Sequence, residues 1–182
     1  MSNILKFLII IGTLVVAVFV ISLFFPSDYN VRRSIEIKRD ISDVFNYMND
    51  IRNWSKWTIW NAEMDTTIVY SYDGNTIGKG ASQTWIAQYG DGGQEYIDVE
   101  ENKSIKYLIH FNKREFESEG QYSFENTRMG TLVTWENYGD LGYDPLSKIF
   151  AYFFLEDYMS PDMEKGLERL DSILTSDTGS NE

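Results

Sequence analysis

The chain has 182 residues and a formal net charge of −12, with 28 acidic residues against 16 basic ones. Such an acidic chain repels phosphate groups, and no basic stripe reverses this locally, so we expect no nucleic-acid partner. Cysteine is absent and there is one histidine, which excludes disulfides and argues against a zinc site, because zinc sites draw mainly on these two residue types. We expect no metal and no cofactor.

The chain begins with a long apolar segment. Residues 7–25 carry no charge, and about 19 helical residues at ~1.5 Å each span ~28 Å, close to the ~30 Å hydrocarbon core of a bilayer. A cleavable signal, the alternative, usually ends in a small-x-small site, whereas this segment ends Leu23-Phe24-Phe25-Pro26. We predict a single-pass membrane anchor over residues 1–25, with the lipid bilayer as a partner. Basic residues flank both ends, so the side of the membrane stays open.

Residues 26–174 have the length of one domain, and we expect residues 175–182 to form a disordered tail. The first element is a strand over residues 29–37, because apolar residues alternate along it. Asp40 then stands where it can cap a short helix. The predicted buried stripe of that helix is Val44, Phe45 and Met48.

A second short helix is predicted over residues 51–57. Three tryptophans, Trp54, Trp57 and Trp60, recur at helical spacing from this helix onward. Residues at that spacing share one side of a helix, so the pattern predicts an aromatic surface that packs against whatever lies beneath it.

Beyond Trp60 the apolar period changes from helical to alternating, which is typical of strands. Six strands are predicted, over residues 66–72, 81–88, 94–101, 104–111, 116–124 and 131–138. Residues typical of turns separate them, and we interpret Asp73-Gly74-Asn75 and Gly90-Asp91-Gly92-Gly93 as hairpin turns. The result is a series of antiparallel hairpins.

Two helices, each with proline at its first position, are predicted over residues 144–155 and 160–174. The last is amphipathic, and we expect its apolar stripe to lie on the concave side of the sheet with space between them. Residues 149–155 are apolar nearly all round, so we expect this segment to pack in the core. The alternative is a lid at the mouth of that space, pressed against a membrane.

Several short stretches carry a family likeness. They are Val44-Phe45, Asn49-Asp50-Ile51-Arg52-Asn53-Trp54 with Trp57 and Trp60, Gly78-Lys79-Gly80-Ala81 with Trp85, Gly130-Thr131-Leu132-Val133-Thr134-Trp135, and Glu164-Lys165-Gly166-Leu167-Glu168-Arg169-Leu170. With the element order, they make residues 31–174 resemble the START-like or helix-grip superfamily, and more closely its SRPBCC branch of polyketide cyclase/dehydrase-like proteins.

This resemblance implies an α+β fold of the helix-grip (START/Bet v 1-like) type. In that fold a seven-stranded antiparallel sheet wraps around a long C-terminal helix, and here an N-terminal transmembrane helix would precede it. The resemblance also implies a cavity for apolar or amphipathic ligands between sheet and helix, and no shared catalytic residue. The family name alone therefore does not establish an activity.

The candidates for the cavity wall are residues of the strands that could point toward the C-terminal helix, together with tryptophans near the second short helix and residues of the two C-terminal helices, and the same positions could instead fill a solid core. The candidates are Trp57, Trp60, Gln83, Trp85, Tyr107, Phe111, Tyr122, Trp135, Phe150, Phe153, Phe154, Gly166 and Leu170. Gly166 is included because glycine inside a helix costs about 1 kcal/mol relative to alanine, which indicates a close approach of its backbone to the sheet or to a ligand.

No catalytic residue is assigned. His110 falls on the solvent side of its predicted strand, and Glu117 and Glu119 share a solvated face of theirs. The polar groups that an enzyme would need inside the cavity are limited to Tyr107, Tyr122 and Gln83.

We therefore hypothesise a membrane-tethered module that binds or transfers a hydrophobic small molecule, such as a lipid, a quinone or a polyketide-like compound. The first alternative is a polyketide cyclase/dehydrase-like enzyme. The second is a protein-interaction domain with a filled core. The short inventory of catalytic groups favours binding over catalysis.

Overall fold

The computed structural model describes residues 2–88, 90–114 and 116–176. The helices are α1 Asn3–Ser22, α2 Ile41–Asn49, α3 Trp54–Trp57, α4 Pro145–Phe150 and α5 Glu156–Ser176. The strands are β1 Asp28–Ile37, β2 Val69–Ser71, β3 Ser82–Ile86, β4 Gly92–Glu100, β5 Ser104–Phe111, β6 Phe116–Asn126 and β7 Thr131–Asp140. Short 3₁₀ turns lie at Ile51–Asn53 and Asn112–Arg114, and a π-helical turn, Ala151–Leu155, joins α4 to α5.

The strands form one seven-stranded antiparallel sheet in the order β1-β7-β6-β5-β4-β3-β2. Strand β1 pairs with β7 along its whole length, from Asp28 opposite Asp140 to Ile37 opposite Thr131. A bulge between Tyr96 and Asp98 interrupts the pairing of β4 with β5, and bulges increase the local bend and twist of a sheet. The predicted α+β helix-grip class, with a sheet of seven strands and a long C-terminal helix, is confirmed.

Strand β2 is shorter than predicted. The carboxylate of Asp65 accepts hydrogen bonds from the backbone and side chain of Thr67, at 2.8 and 2.6 Å. Such local side-chain bonds hold the chain in a turn and compete with strand pairing. Only Val69–Ser71 of the predicted strand over residues 66–72 therefore joins the sheet.

The predicted turn at residues 90–93 is wrong in its second half, because Gly92 and Gly93 belong to β4. A Cβ at Gly92 would lie 2.3 Å from the Trp85 ring, and one at Gly93 would lie 2.6 Å from the His110 ring. Glycine is used here because neighbouring side chains lie directly across the strand, and such close approach is a typical use of glycine within a strand.

Helices α2 and α3 and the 3₁₀ turn between them close one end of the sheet's inner face. Val44, Phe45 and Met48 are buried, as predicted. Asp40 stands at the N-cap of α2, but its side chain makes no capping hydrogen bond. Helix α3 ends at Trp57, so Trp60 lies beyond the helix and stacks on Trp54 from a loop.

The C-terminal helices differ from the prediction in one boundary. Pro161 does not begin a helix, because α5 already starts at Glu156, directly after the π-helical turn. Its ring nitrogen cannot donate to the carbonyl of Asp157 four residues earlier, which is the cost of a proline inside a helix. Helix α5 also continues through Thr175 and Ser176, which were expected in the tail, and the rest of that tail lies outside the described residues.

The expectation that residues 149–155 pack in the core is wrong. Phe150, Tyr152, Phe153 and Phe154 are all exposed, and the π-helical turn contains no buried residue. The segment has apolar residues on more sides than the sheet can cover, so most of them remain outside the domain.

Helix α1 is long and apolar enough to cross a membrane. Almost all its side chains are exposed, with Ser22 at its C-terminal end the one buried residue. Phe25, in the connection to β1, contacts the rings of Tyr152 and Phe153, with centroids 4.8 and 5.6 Å apart. The helix therefore leaves the domain beside the exposed aromatic segment.

A candidate ligand cavity between the sheet and the C-terminal helix

Helix α4, the π-helical turn and α5 follow one another without a break, and we call residues 145–176 the C-terminal helical run. An open cavity of about 900 Å³ lies between the inner face of the sheet and the first part of this run. Its sheet side includes Tyr107, Ile109, Phe111, Trp135 and Asn137. Its helix side includes Phe150, Leu155, Tyr158, Met159 and Met163, and a loop supplies Ile59, Trp60 and Met64. Binding sites for small organic molecules typically occupy ~300–1,000 Å³ and are mostly apolar with a few polar groups, which matches this cavity in size and composition.

Three side chains form a hydrogen-bonded chain on the sheet side of the cavity. The indole N–H of Trp135 donates to the hydroxyl oxygen of Tyr107 at 2.7 Å, and that hydroxyl donates to Oδ1 of Asn137 at 2.6 Å. The amide of Asn137 in turn donates to the sulfur of Met163 at 3.6 Å, across to α5. The amide nitrogen carries two hydrogens, so one remains for a bound molecule.

Burial raises the pKa of Tyr107 well above its ordinary value, and the neighbouring Tyr122 adds to the effect. The pKa of Tyr122 is also raised, chiefly by burial. Both hydroxyls therefore stay protonated at neutral pH, and they serve as neutral hydrogen-bonding groups rather than as bases.

Gly120 makes room for the Tyr107 ring. It lies opposite Tyr107 on β6, and a Cβ there would be 2.2 Å from both Cζ and the hydroxyl oxygen of that tyrosine. The absence of a side chain lets the ring lie flat across the neighbouring strand, which places its hydroxyl between Trp135 and Asn137.

A second hydrogen-bonded group lies next to the cavity. The indole N–H of Trp54 donates to the Tyr122 hydroxyl at 3.1 Å, and the Gln83 amide donates to Gln94 at 3.0 Å. Trp54 and Gln94 reach the cavity wall, whereas Gln83 and Tyr122 lie in the packed core. Oxygen Oε1 of Gln83 is buried and has no hydrogen-bond partner among the residues that the structure describes.

The charged groups around the cavity are acidic. Glu117, Asp140 and Asp162 line it, and among the lining residues that the structure describes there is no lysine or arginine. Glu117 is paired with Arg114 at 3.0 Å, and Asp140 accepts a hydrogen bond from the backbone of Gly142. An anionic ligand would therefore meet like charge at Asp140 and Asp162, whereas Arg114 offsets the charge of Glu117.

Two arginines fasten the walls of the cavity. Arg33 of β1 pairs with Glu156 at 3.2 Å and with Glu164 at 2.7 Å, which ties the sheet to α5. On the other side, Arg169 of α5 pairs with Glu63 and donates to the carbonyl oxygen of Thr58 at 3.3 Å. The loop that carries Ile59, Trp60 and Met64 is thereby held against the same helix.

The structure divides the residues predicted for the cavity wall into three groups. Trp60, Tyr107, Phe111, Trp135 and Phe150 line the cavity. The residues that lie in the packed core or against it, away from the cavity lining, are Trp57, Gln83, Trp85, Tyr122, Gly166 and Leu170. Phe153 and Phe154 are exposed on the outer side of the helical run. A ligand contact at any of these residues stays a prediction.

Gly166 shows why the core group lies apart from the cavity. A Cβ there would be 3.1 Å from the Trp135 ring and 3.6 Å from the Trp57 ring, so the α5 backbone lies directly on two indoles. The close approach indicated by the sequence is present, and it is to the sheet and α3 rather than to a cavity.

Several lining residues were missed by the sequence analysis. Asn137 falls two residues after Trp135 on β7, so strand alternation alone could have placed it on the inner face. Tyr29, whose hydroxyl lies 2.8 Å from the Ser118 hydroxyl, could have been found in the same way from β1. Met163 belongs to the apolar stripe of the last helix, which was predicted to face the sheet, whereas Met159 carried no such signal, because its position depends on α5 starting before Pro161.

His110 lies on the outer face of β5 and is half-buried across Gly93. Burial lowers its pKa, and the charge of Arg114 acts in the same direction. It lies outside the described cavity lining, as does Glu119.

The model of one protein family, described as polyketide cyclase / dehydrase and lipid transport, matches residues 29–175. No curated protein matches the chain in sequence. Among solved structures, MLL2253 from Mesorhizobium loti is 14% identical with a TM-score of 0.58, over 81% of this chain and 98% of that one. The Aha1 dimer from Colwellia psychrerythraea is 14% identical with a TM-score of 0.57, over 80% of this chain and 96% of that chain.

A third structure, DynU16 of the dynemicin biosynthetic locus, is 14% identical with a TM-score of 0.53, over 80% of this chain and 47% of that chain. At these identities the three structures establish a common fold and nothing narrower. The family model covers most of the chain, including all of the sheet except Asp28 and all of α5 except Ser176. The chain belongs to the polyketide cyclase / dehydrase and lipid transport family.

Proposed function

We propose that the protein is a membrane-tethered module that binds or transfers a hydrophobic small molecule in the cavity between the sheet and the C-terminal helical run. The observation that carries this proposal is the cavity of about 900 Å³ with a largely aromatic and aliphatic lining. Each methylene of a ligand that leaves water for such a site contributes ~0.8 kcal/mol, so an acyl or isoprenoid chain can bind without charged contacts.

The polar groups of the cavity narrow the ligand class. Asn137 and the Tyr107 hydroxyl offer neutral hydrogen bonds, while Asp140 and Asp162 disfavour a negative charge. A ligand with an apolar body and an uncharged carbonyl or hydroxyl group satisfies these conditions. Neutral lipids, quinones and polyketide-like compounds all belong to this class, and the family description is consistent with each of them.

Helix α1 supports the tether. It has the length and composition of a membrane span, and its C-terminal end meets the domain beside the cavity. A module held there would exchange its ligand with the bilayer or with an acceptor at the membrane surface.

Native mass spectrometry of the full chain, released from detergent micelles, tests the proposal. We expect a retained molecule of the uncharged, mainly apolar class. Met159→Trp should reduce retention, because the indole would occupy cavity volume. Met129→Trp is the matched control, since Met129 lies exposed at the turn between β6 and β7, beyond the far end of the sheet.

An empty wild-type protein, or equal retention by both variants, would contradict binding in the cavity. Chemical conversion of the retained molecule by the protein would instead favour the alternative of a cyclase/dehydrase-like enzyme.

A further inference from the structure

The outer side of the C-terminal helical run carries a contiguous apolar surface, which we call the aromatic face. It consists of Leu146, Phe150, Tyr152, Phe153, Phe154 and Tyr158, each 47–71% exposed. Its rings touch one another: Phe153 lies 5.0 Å from Tyr152 and 6.2 Å from Phe154, and Phe150 lies 5.9 Å from Phe154, between ring centroids. Soluble domains rarely expose a large patch of this kind unless it meets a partner or a membrane.

The aromatic face adjoins α1. Phe25, three residues after the end of α1, contacts Tyr152 and Phe153, and Ser22 is buried at the same junction. The apolar surface of α1 and the aromatic face therefore meet, and both lack a covering element among the described residues. A bilayer that receives α1 would come to lie directly against the aromatic face.

The composition of the aromatic face suits a membrane surface. Residues 146–155 include three phenylalanines and one tyrosine, their one charged residue is Lys148, and the acidic residues Glu156 and Asp157 begin only after this segment. Tyrosine is enriched at membrane interfaces, where its ring lies in the apolar layer and its hydroxyl in the headgroup layer. With one basic residue in this segment, attraction to anionic lipids contributes only a small part of the contact, so apolar burial must supply most of it.

The same helical run also forms a wall of the cavity. Phe150 and Tyr158 belong to the aromatic face and line the cavity as well, and Leu155 and Met159 line it from the inner side. The cavity mouth is therefore bordered by the surface that we place at the membrane.

We propose that the aromatic face lies on the surface of the lipid bilayer into which α1 inserts, so that the cavity opens at that surface and its ligand enters from the lipid. This inference rests on the tether in the proposed function and adds an orientation of the domain. The driving force is burial of apolar area, so the contact forms on uncharged phosphatidylcholine and does not require anionic lipid.

The chain contains no cysteine, so single-cysteine labelling tests the proposal directly in the full chain. Nitroxide labels at Phe154→Cys, Val16→Cys and Met129→Cys are compared in phosphatidylcholine nanodiscs by their accessibility to oxygen, which concentrates in lipid, and to a water-soluble nickel complex. Met129 is the matched control, since it is 58% exposed against 57% for Phe154 but lies at the opposite end of the sheet.

We expect the ratio of oxygen to nickel accessibility at Phe154 to exceed that at Met129 several-fold and to approach that at Val16, in the middle of α1. A ratio at Phe154 equal to that at Met129, with Val16 in lipid, overturns the docking and leaves the tether intact. Water accessibility at Val16 overturns the tether itself. Shielding of Phe154 from both reagents, with spin–spin broadening, identifies a second copy as the covering partner and also overturns the docking.

Discussion

The two ends of the interior are built from the same sheet and the same C-terminal helical run, yet one end is filled and the other is hollow. At the filled end α5 lies on Trp57 and Trp135, so closely that Gly166 has no room for a larger side chain without movement. At the hollow end, towards α1 and the start of β1, the cavity separates most of the run from the sheet, and the bond from Asn137 to Met163 of α5 bridges the two. Aromatic content alone therefore does not decide between a core and a cavity.

The two ends differ because α3 contributes large aromatic side chains at the filled end. Trp54 stacks between Trp60 and Trp85, with centroids 5.6 Å from each, and Trp57 contacts Tyr122 and Trp135 edge-on. These rings fill the space on their side of the sheet, and Trp54, Trp60 and Trp135 form the border between the packed core and the cavity. Helix α3 ends at Trp57. The chain that follows it reaches the hollow end as the loop of residues 59–64.

Truncation of one side chain at each end gives the largest expected contrast. Trp57→Ala should lower the free energy of unfolding by about 3–5 kcal/mol, because it removes a fully buried indole from a packed environment. Met159→Ala should cost less than about 2 kcal/mol, since its side chain already borders open space. Urea denaturation of the full chain in detergent micelles, followed by circular dichroism, measures both. Equal losses would show that the hollow end is packed in solution.

A methyl group at Gly120 tests the wall of the hollow end. Gly120→Ala should cost about 3 kcal/mol, at the upper end of the range for overpacking, because the Tyr107 ring must move away from a Cβ only 2.2 Å distant. Glu119→Ala, the exposed neighbour, is the control and should change stability by less than about 0.5 kcal/mol. The same denaturation measurement applies, and a neutral Gly120→Ala would mean that the ring is not held where the structure places it.

Removal of one tyrosine hydroxyl at each end should have the smallest effect on stability. Tyr107→Phe at the cavity and Tyr96→Phe at the filled end, where the Tyr96 hydroxyl donates to the Met48 carbonyl at 2.8 Å, should each cost about 1–2 kcal/mol. Only Tyr107→Phe should also weaken ligand retention in native mass spectrometry, because Asn137 loses the donor that orients its amide. An equal effect of both variants on retention would indicate a general loss of stability instead.

The sequence predicted the sheet well and the cavity only in part. Alternation placed Ile105, Tyr107 and Ile109 on the inner face and Lys106 and His110 on the outer one, because one buried side imposes a period of two residues. The same pattern cannot say which inward residues meet other side chains and which meet space. Trp57 and Trp135 are both tryptophans that were predicted for the cavity wall, yet of the two only Trp135 lines the cavity.

The C-terminal helical run shows a second limit. The prediction ended one helix at Leu155 and began another at Ser160, because proline is common at the first position of a helix. The chain instead continues through a π-helical turn into α5, and this puts the aromatic residues of 150–154 outside the domain. Which side of an all-apolar helix is covered depends on its neighbours, and no local pattern contains that information.

The connection between α1 and β1 limits how far the domain can travel. Five residues, 23–27, separate Ser22 from Asp28, and even fully extended they would reach roughly 17 Å. Their freedom is smaller still, since the backbones of Phe24 and Phe25 bond to the last turn of α1 and Ser27 bonds to Leu141 beyond the end of β7. With α1 in the bilayer, the domain cannot carry a bound ligand to a second membrane. Any acceptor of the ligand must therefore come to the domain.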